Sequence, residues 1–86
     1  MLFRSLRQFE NLGLLETLNL SNNSIEIIDS LEYLTNLREL NVSHNQIQDI
    51  EPLLLLEKLE FVDLTGNPVS KKEVEKLRQK GVSIDY

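Results

Sequence analysis

Eighty-six residues leave room for one domain and one modest core. The chain is 41% hydrophobic but only 6% aromatic, with no Trp, which suits a repeated aliphatic seam better than a core built around large rings. The absence of Cys excludes disulfides and thiolate metal sites, and the net charge of −5 disfavours phosphate-rich partners.

The charge is unevenly spread. From residue 10 to residue 63 there are eleven acidic side chains and two basic ones, Arg38 and Lys58, whereas residues 71–80 carry five basic and two acidic. An acidic body with a short mixed basic segment predicts no nucleic-acid partner. Residues 1–7 hold two arginines and no uninterrupted apolar run, so neither a secretion signal nor a membrane span is expected there. Without Cys or a membrane segment, the expected location is the cytoplasm.

Phe3, Leu6, Phe9 and Leu12 step by three, the spacing met again downstream. Residues 1–14 therefore read as a partial repeat or an N-terminal cap. Two readings stand side by side: residues 2–11 form an amphipathic capping helix, or the chain is the tail of a longer array. An uncapped first strand would offer an open edge for self-association.

A shift of 22 residues lays the chain on itself. Residues 15–25 (LETLNLSNNSI) lie over 37–47 (LRELNVSHNQI) and over 59–69 (LEFVDLTGNPV). Between these segments Ile25, Ile28, Leu31, Leu34 and Leu37, then Ile47, Ile50, Leu53, Leu56 and Leu59, again step by three. The alternating part has the period of a strand, with Leu18 and Leu20, Leu40 and Val42, and Val62 and Leu64 facing inward. The period-three part suits a 3₁₀-like or irregular arc that returns the chain to the next strand. Asn23, Asn45 and Asn67 stand where strand becomes arc, and a carboxamide there can both donate to and accept from backbone groups left unpaired by the turn.

After the third segment, Ser70-Lys71-Lys72-Glu73 has the form of a capping box, with Val69 and Val74 placed as a hydrophobic staple. Lys76, Arg78 and Lys80 suit the last turn of a helix, and Gly81 suits the position just past it. The spacing predicts a helix over 71–80 that turns Val74 and Leu77 inward and covers the end of the core. Residues 82–86 then return as a fourth strand, Ile84 matching Val62 and Tyr86 matching Leu64.

All three segments match L-x-x-L-x-L-x-x-N-x-L, and the chain resembles the leucine-rich-repeat proteins. The fuller pattern of the 22-residue repeat, seen at residues 34–53, resembles the subclass found in a phosphatase regulator and in the bacterial internalins. The ending from Gly66-Asn67-Pro68-Val69 through the helix looks like the last repeat of bacterial arrays. It departs from the eukaryotic cap, where a tyrosine and an arginine usually follow the turn; here Ser70-Lys71-Lys72 stand instead, which weakens a phosphatase-regulator assignment. The resemblance implies an α/β, right-handed solenoid. Parallel β-strands line its concave face, 3₁₀ or irregular arcs its convex face, and a capping helix and short final strand close the C-terminus. Repeats fall at 15–36, 37–58 and 59–69, with 70–86 as the cap, in a single domain spanning 1–86.

On the concave face the outward strand positions form rows: Thr17, Glu39 and Phe61, then Asn19, Asn41 and Asp63, with His44 beyond them and Glu16, Arg38 and Glu60 at the margin. Phe61 stands out as an aromatic among polar neighbours, the residue type that interfaces favour as an anchor. His44, the single histidine, lacks the partners for a zinc site or a nucleophilic centre and reads as an exposed strand residue. A second apolar patch is expected on the arcs at Tyr33, Leu54 and Leu55, one of which a helical arc would bury. Nothing in the chain supplies paired acids, a phosphate loop or metal ligands, so no cofactor and no catalysis are expected. The function expected is that of a module binding a protein partner through its concave face. The alternative is a structural capping piece of a longer array, or a regulatory domain of a larger protein.

Overall fold

The computed structural model describes residues 13–86. Four three-residue strands, β1 (Thr17–Asn19), β2 (Glu39–Asn41), β3 (Phe61–Asp63) and β4 (Ser83–Asp85), form one parallel sheet in sequence order. The register is the 22-residue shift itself: Leu18 pairs with Leu40, Leu40 with Val62, and Val62 with Ile84. Backbone bonds carry the ladder past the short strands, from the Leu20 amide to the Asn41 carbonyl, Val42 to Asp63 and Leu64 to Asp85.

Each of the first three strands is followed by a crossover. The first two contain 3₁₀ turns, Asp29–Tyr33 and Glu51–Leu55, the geometry in which side chains three apart lie over one another. Ile25, Ile28, Leu31 and Leu34, and their counterparts Ile47, Ile50, Leu53 and Leu56, are buried and share one core with the inward strand residues. Every inward slot of the repeat is thus filled by an aliphatic side chain, and neighbouring repeats bury each other's seam.

The third crossover is α1 (Lys71–Gln79), one residue shorter than the sequence predicts because Lys80 takes the C-cap position. Ser70 caps it, its Oγ accepting from the Glu73 amide at 3.3 Å, and Gly81 follows with φ +92°. Val69, Val74 and Leu77 are buried in the common core. The reciprocal half of the capping box is missing: one Glu73 carboxylate oxygen lies 3.8 Å from the Lys76 ammonium, and the other is buried with no hydrogen bond. Lys76 draws Glu73 away because it is itself held by Glu51 of the second 3₁₀ turn at 3.3 Å. That hydrogen bond, with the Glu73 charge beside it, raises the Lys76 ammonium above its ordinary pKa. With one of two capping bonds present, Ser70→Ala is expected to lower stability by about 1 kcal/mol, read as a shift in urea midpoint at constant m-value.

The fourth strand differs from expectation at its end. Tyr86 does not take the inward place corresponding to Leu64; it is half exposed, and its hydroxyl donates to the Val69 carbonyl. A phenol buried at that slot would have to bury its hydroxyl as well, and the strand end lets it reach a backbone acceptor instead. The expectations for residues 1–12 lie outside the described residues.

Candidate functional site

Strand alternation puts Thr17, Glu39, Phe61 and Ser83 in one cross-strand row, and Asn19, Asn41, Asp63 and Asp85 in the next, all on the side of the sheet away from the core. Thr17, Asn19 and Glu39 are exposed; Asn41, Phe61 and Asp63 are partly buried. Ser83 and Asp85 extend both rows onto β4. They are missing from the sequence-derived site, although the same 22-residue shift applied once more from Phe61 and Asp63 leads to them.

The second row has a structural duty. Asn19 Oδ1 accepts from the Ser21 amide and hydroxyl at 3.0 and 2.8 Å, and Asn41 Oδ1 does the same with Ser43 at 3.0 and 2.7 Å. Asp63 Oδ1 accepts from the Thr65 amide at 3.0 Å. These are Asx turns, in which a short polar side chain mimics a backbone acceptor two residues back and ends the strand. One oxygen of each residue is therefore committed to the fold, and recognition is left to the remaining atoms of these side chains.

His44 is not a strand residue. It lies beyond β2 with φ +56°, in a row of left-handed residues with Asn22 at +59° and Gly66 at +77°. Its amide donates to the Thr65 carbonyl at 2.7 Å, so the turns stack as the strands do. The residue types allowed there are those that tolerate a left-handed backbone, which is why Asn, His and Gly occupy the row.

Phe61 lies over the middle of the sheet and lines a shallow depression of about 220 Å³ with Thr17, Asn19, Glu39 and Asn41. A larger hollow of about 520 Å³ opens at the sheet margin around Glu16, Arg38, Lys58 and Glu60. Its charges already serve each other. Arg38 Nη2 and Nε lie 2.6 and 2.7 Å from Glu60 Oε2, and Nη1 lies 3.8 Å from Glu16 Oε1, tying three repeats together. The Glu60 hydrogen bond, with smaller help from Glu16 and Glu39, raises the guanidinium further above its ordinary pKa. Lys58 donates to Asn36 Oδ1 at 2.8 Å, and Asn36 in turn donates to the Gly13 carbonyl at 2.8 Å. Exposed pairs of this kind contribute little each, and they make the margin a seam between repeats. The depression at Phe61 is the more apolar of the two, because fewer polar groups line it.

On the arcs, Tyr33 and Leu55 are 51% and 61% exposed and occupy equivalent places 22 residues apart. Leu54 differs: it turns partly inward and packs against the core, so the patch consists of two residues rather than three. Among the described residues no group of three or more His, Cys, Asp or Glu is placed to hold a metal ion. No helix among them is long and apolar enough to cross a membrane.

A parallel sheet of in-register strands, one per 22-residue turn, defines a solenoid repeat protein. The family model describing two leucine-rich repeats matches twice, over residues 14–54 and 35–78, and the chain belongs to the leucine-rich-repeat family. A leucine-rich-repeat protein of Leptospira interrogans has a similar structure, with a TM-score of 0.80 and 29% identity over 94% of this chain. The chain spans 22% of that protein's chain. Comparison with curated proteins gives no match. Leucine-rich repeats serve generally as protein–protein interaction modules.

Proposed function

We propose that this chain is a protein-binding module whose docking surface is the concave sheet face centred on Phe61. The observation that carries the reading is the position of Phe61: an aromatic ring, partly buried, in a depression whose other outward side chains are polar. A ring held by its neighbours gives up little freedom on binding and presents a large apolar area, the combination typical of interface anchors. The polar rows around it supply hydrogen-bonding groups at the regular spacing of the strands. The similarity to the Leptospira protein, with its longer chain, also favours a second reading in which these repeats form the capped end of a longer array. In that case α1 shields the core, and binding extends over further repeats.

A photoreactive phenylalanine analogue placed at Phe61, and separately at Tyr33, tests the face. Cross-linking to one defined partner from position 61, abolished by competition with unlabelled protein, is the expected result. Phe61→Ala is expected to weaken that partner's binding on the order of tenfold or more while leaving thermal unfolding close to that of the parent chain. Specific cross-linking from Tyr33 alone would move the site to the arcs and end the concave-face reading.

A further inference from the structure

The outward positions of β2, β3 and β4 carry three carboxylates, Glu39, Asp63 and Asp85, and no basic side chain. Glu39 and Asp85 form no side-chain hydrogen bond or ion pair among the described residues, and the one side-chain bond of Asp63 is that from the Thr65 amide. The nearest cation, Arg38, is held between Glu60 and Glu16 at the margin. The basic residues of α1 lie on a helix packed against the second 3₁₀ turn, where Lys76 pairs with Glu51 and Arg78 with Glu75. Arg38 acts on Glu39 only through its charge at a distance, and no hydrogen bond or ion pair to a basic side chain neutralises the three carboxylates among the described residues.

Two details show that the fold does not require this charge. Asp63 and Asp85 are cross-strand neighbours in register, and like charges directly opposite each other destabilise a sheet. The turn made by Asp63 is also made by neutral Asn19 and Asn41 at the equivalent positions, so that turn does not require a negative charge. Between these carboxylates stands Phe61, in register with Glu39 on the neighbouring strand and two residues from Asp63 on its own. Strand geometry places the α-carbons of Glu39 and Asp63 roughly 5–7 Å from that of Phe61.

We infer that the concave face docks an extended, positively charged segment of a partner protein, with a Lys or Arg side chain laid across Phe61 and its charge between Glu39 and Asp63. The inference rests on the concave-face reading and adds the chemistry of the partner. The aliphatic stem of such a residue covers the ring while its head reaches the carboxylates, and the ring face itself attracts a cation. A second cation two residues along an extended segment has the spacing to meet Asp85.

The test uses the full chain, isotope-labelled, titrated with a peptide alternating Lys and Thr and with its Gln–Thr and Glu–Thr counterparts. The expected result is saturable shifts at Glu39, Phe61, Asp63 and Asp85 with the Lys peptide, weakened by salt, and none with the Glu peptide. The combined Glu39→Gln, Asp63→Asn and Asp85→Asn variant, which keeps the Asx turn, is expected to bind the Lys peptide on the order of tenfold more weakly. Equal binding of the Gln peptide, unchanged affinity of the variant, or shifts confined to the arcs or α1 overturns the inference. If a partner cross-links at position 61 but binds the neutralised variant as tightly as the parent, the cationic partner is refuted and the docking face stands. If neither peptide nor partner touches position 61, both fall.

Discussion

Asn45→Ala is expected to lower the unfolding free energy by about 3 kcal/mol, a large part of the stability available to a domain of this size. The Asn45 side chain is buried between two repeats. Its Oδ1 accepts from the Asn23 and Ile25 amides, both at 3.1 Å, and its Nδ2 donates to the Leu20, Val42 and Ser43 carbonyls at 3.0, 2.9 and 3.2 Å. A sum over five bonds would overstate the loss, because each carbonyl keeps another donor. Leu20 still accepts from Asn23 Nδ2, Val42 from Asn67 Nδ2, and Ser43 from the Asn22 amide. The two amides keep no replacement in the hydrogen-bond pattern, and one buried and one part-buried N–H left unpaired, at about 1–3 kcal/mol each, give the expected loss. The neighbouring exposed Gln46→Ala is expected to change stability by less than about 0.5 kcal/mol. Urea unfolding of the two variants gives the comparison, and amide exchange should accelerate at Asn23 and Ile25 more than in β3 and β4. A loss below about 1 kcal/mol for Asn45→Ala would show that water replaces the carboxamide and that the ladder is not what holds the repeats together.

The asparagine was legible because the 22-residue shift brings Asn23, Asn45 and Asn67 into one column at the place where the period changes from two to three. The strand register, the arcs and the C-terminal helix were legible for the same kind of reason: each is a local geometry with its own spacing of apolar residues. The departures occur where a side chain answers to a neighbour in another turn of the solenoid. Glu73 fits a capping box by position, but Lys76, fixed by Glu51, draws it off. Tyr86 fits an inward slot by register, but its hydroxyl finds the Val69 carbonyl.

The candidate site divides in the same way. Alternation alone gives the outward rows through Phe61 and Asp63, and the structure extends them to Ser83 and Asp85. What alternation does not give is how Asn19, Asn41 and Asp63 spend their oxygens, because an Asx turn depends on backbone angles at the strand end rather than on residue spacing. On the arcs, Leu54 and Leu55 look alike in the sequence. The phase of the 3₁₀ turn separates them, sending Leu54 towards the core and Leu55 to solvent.

The column Asn22, His44 and Gly66 leads to the other large effect. Gly66→Ala is expected to cost about 2 kcal/mol, from two sources of similar size. The first is the left-handed backbone at φ +77°, which a Cβ disfavours by about 1 kcal/mol. The second is His44. A Cβ at position 66 would stand 2.6 Å from His44 Nδ1, 3.1 Å from Cε1 and 3.3 Å from Cα, so the ring occupies the space that the glycine leaves open. The ring can swing away, whereas the α-carbon is fixed in the backbone, so moving the side chain brings incomplete relief. His44→Asn installs the residue found at the equivalent position 22, where it accepts a φ of +59°. In that background Gly66→Ala is expected to cost closer to 1 kcal/mol, a coupling of roughly that size between neighbouring side chains. Unfolding the four members of the cycle in urea measures it. A coupling under about 0.5 kcal/mol would assign the whole cost to the backbone. It would also mean that the histidine rests against the glycine without needing it.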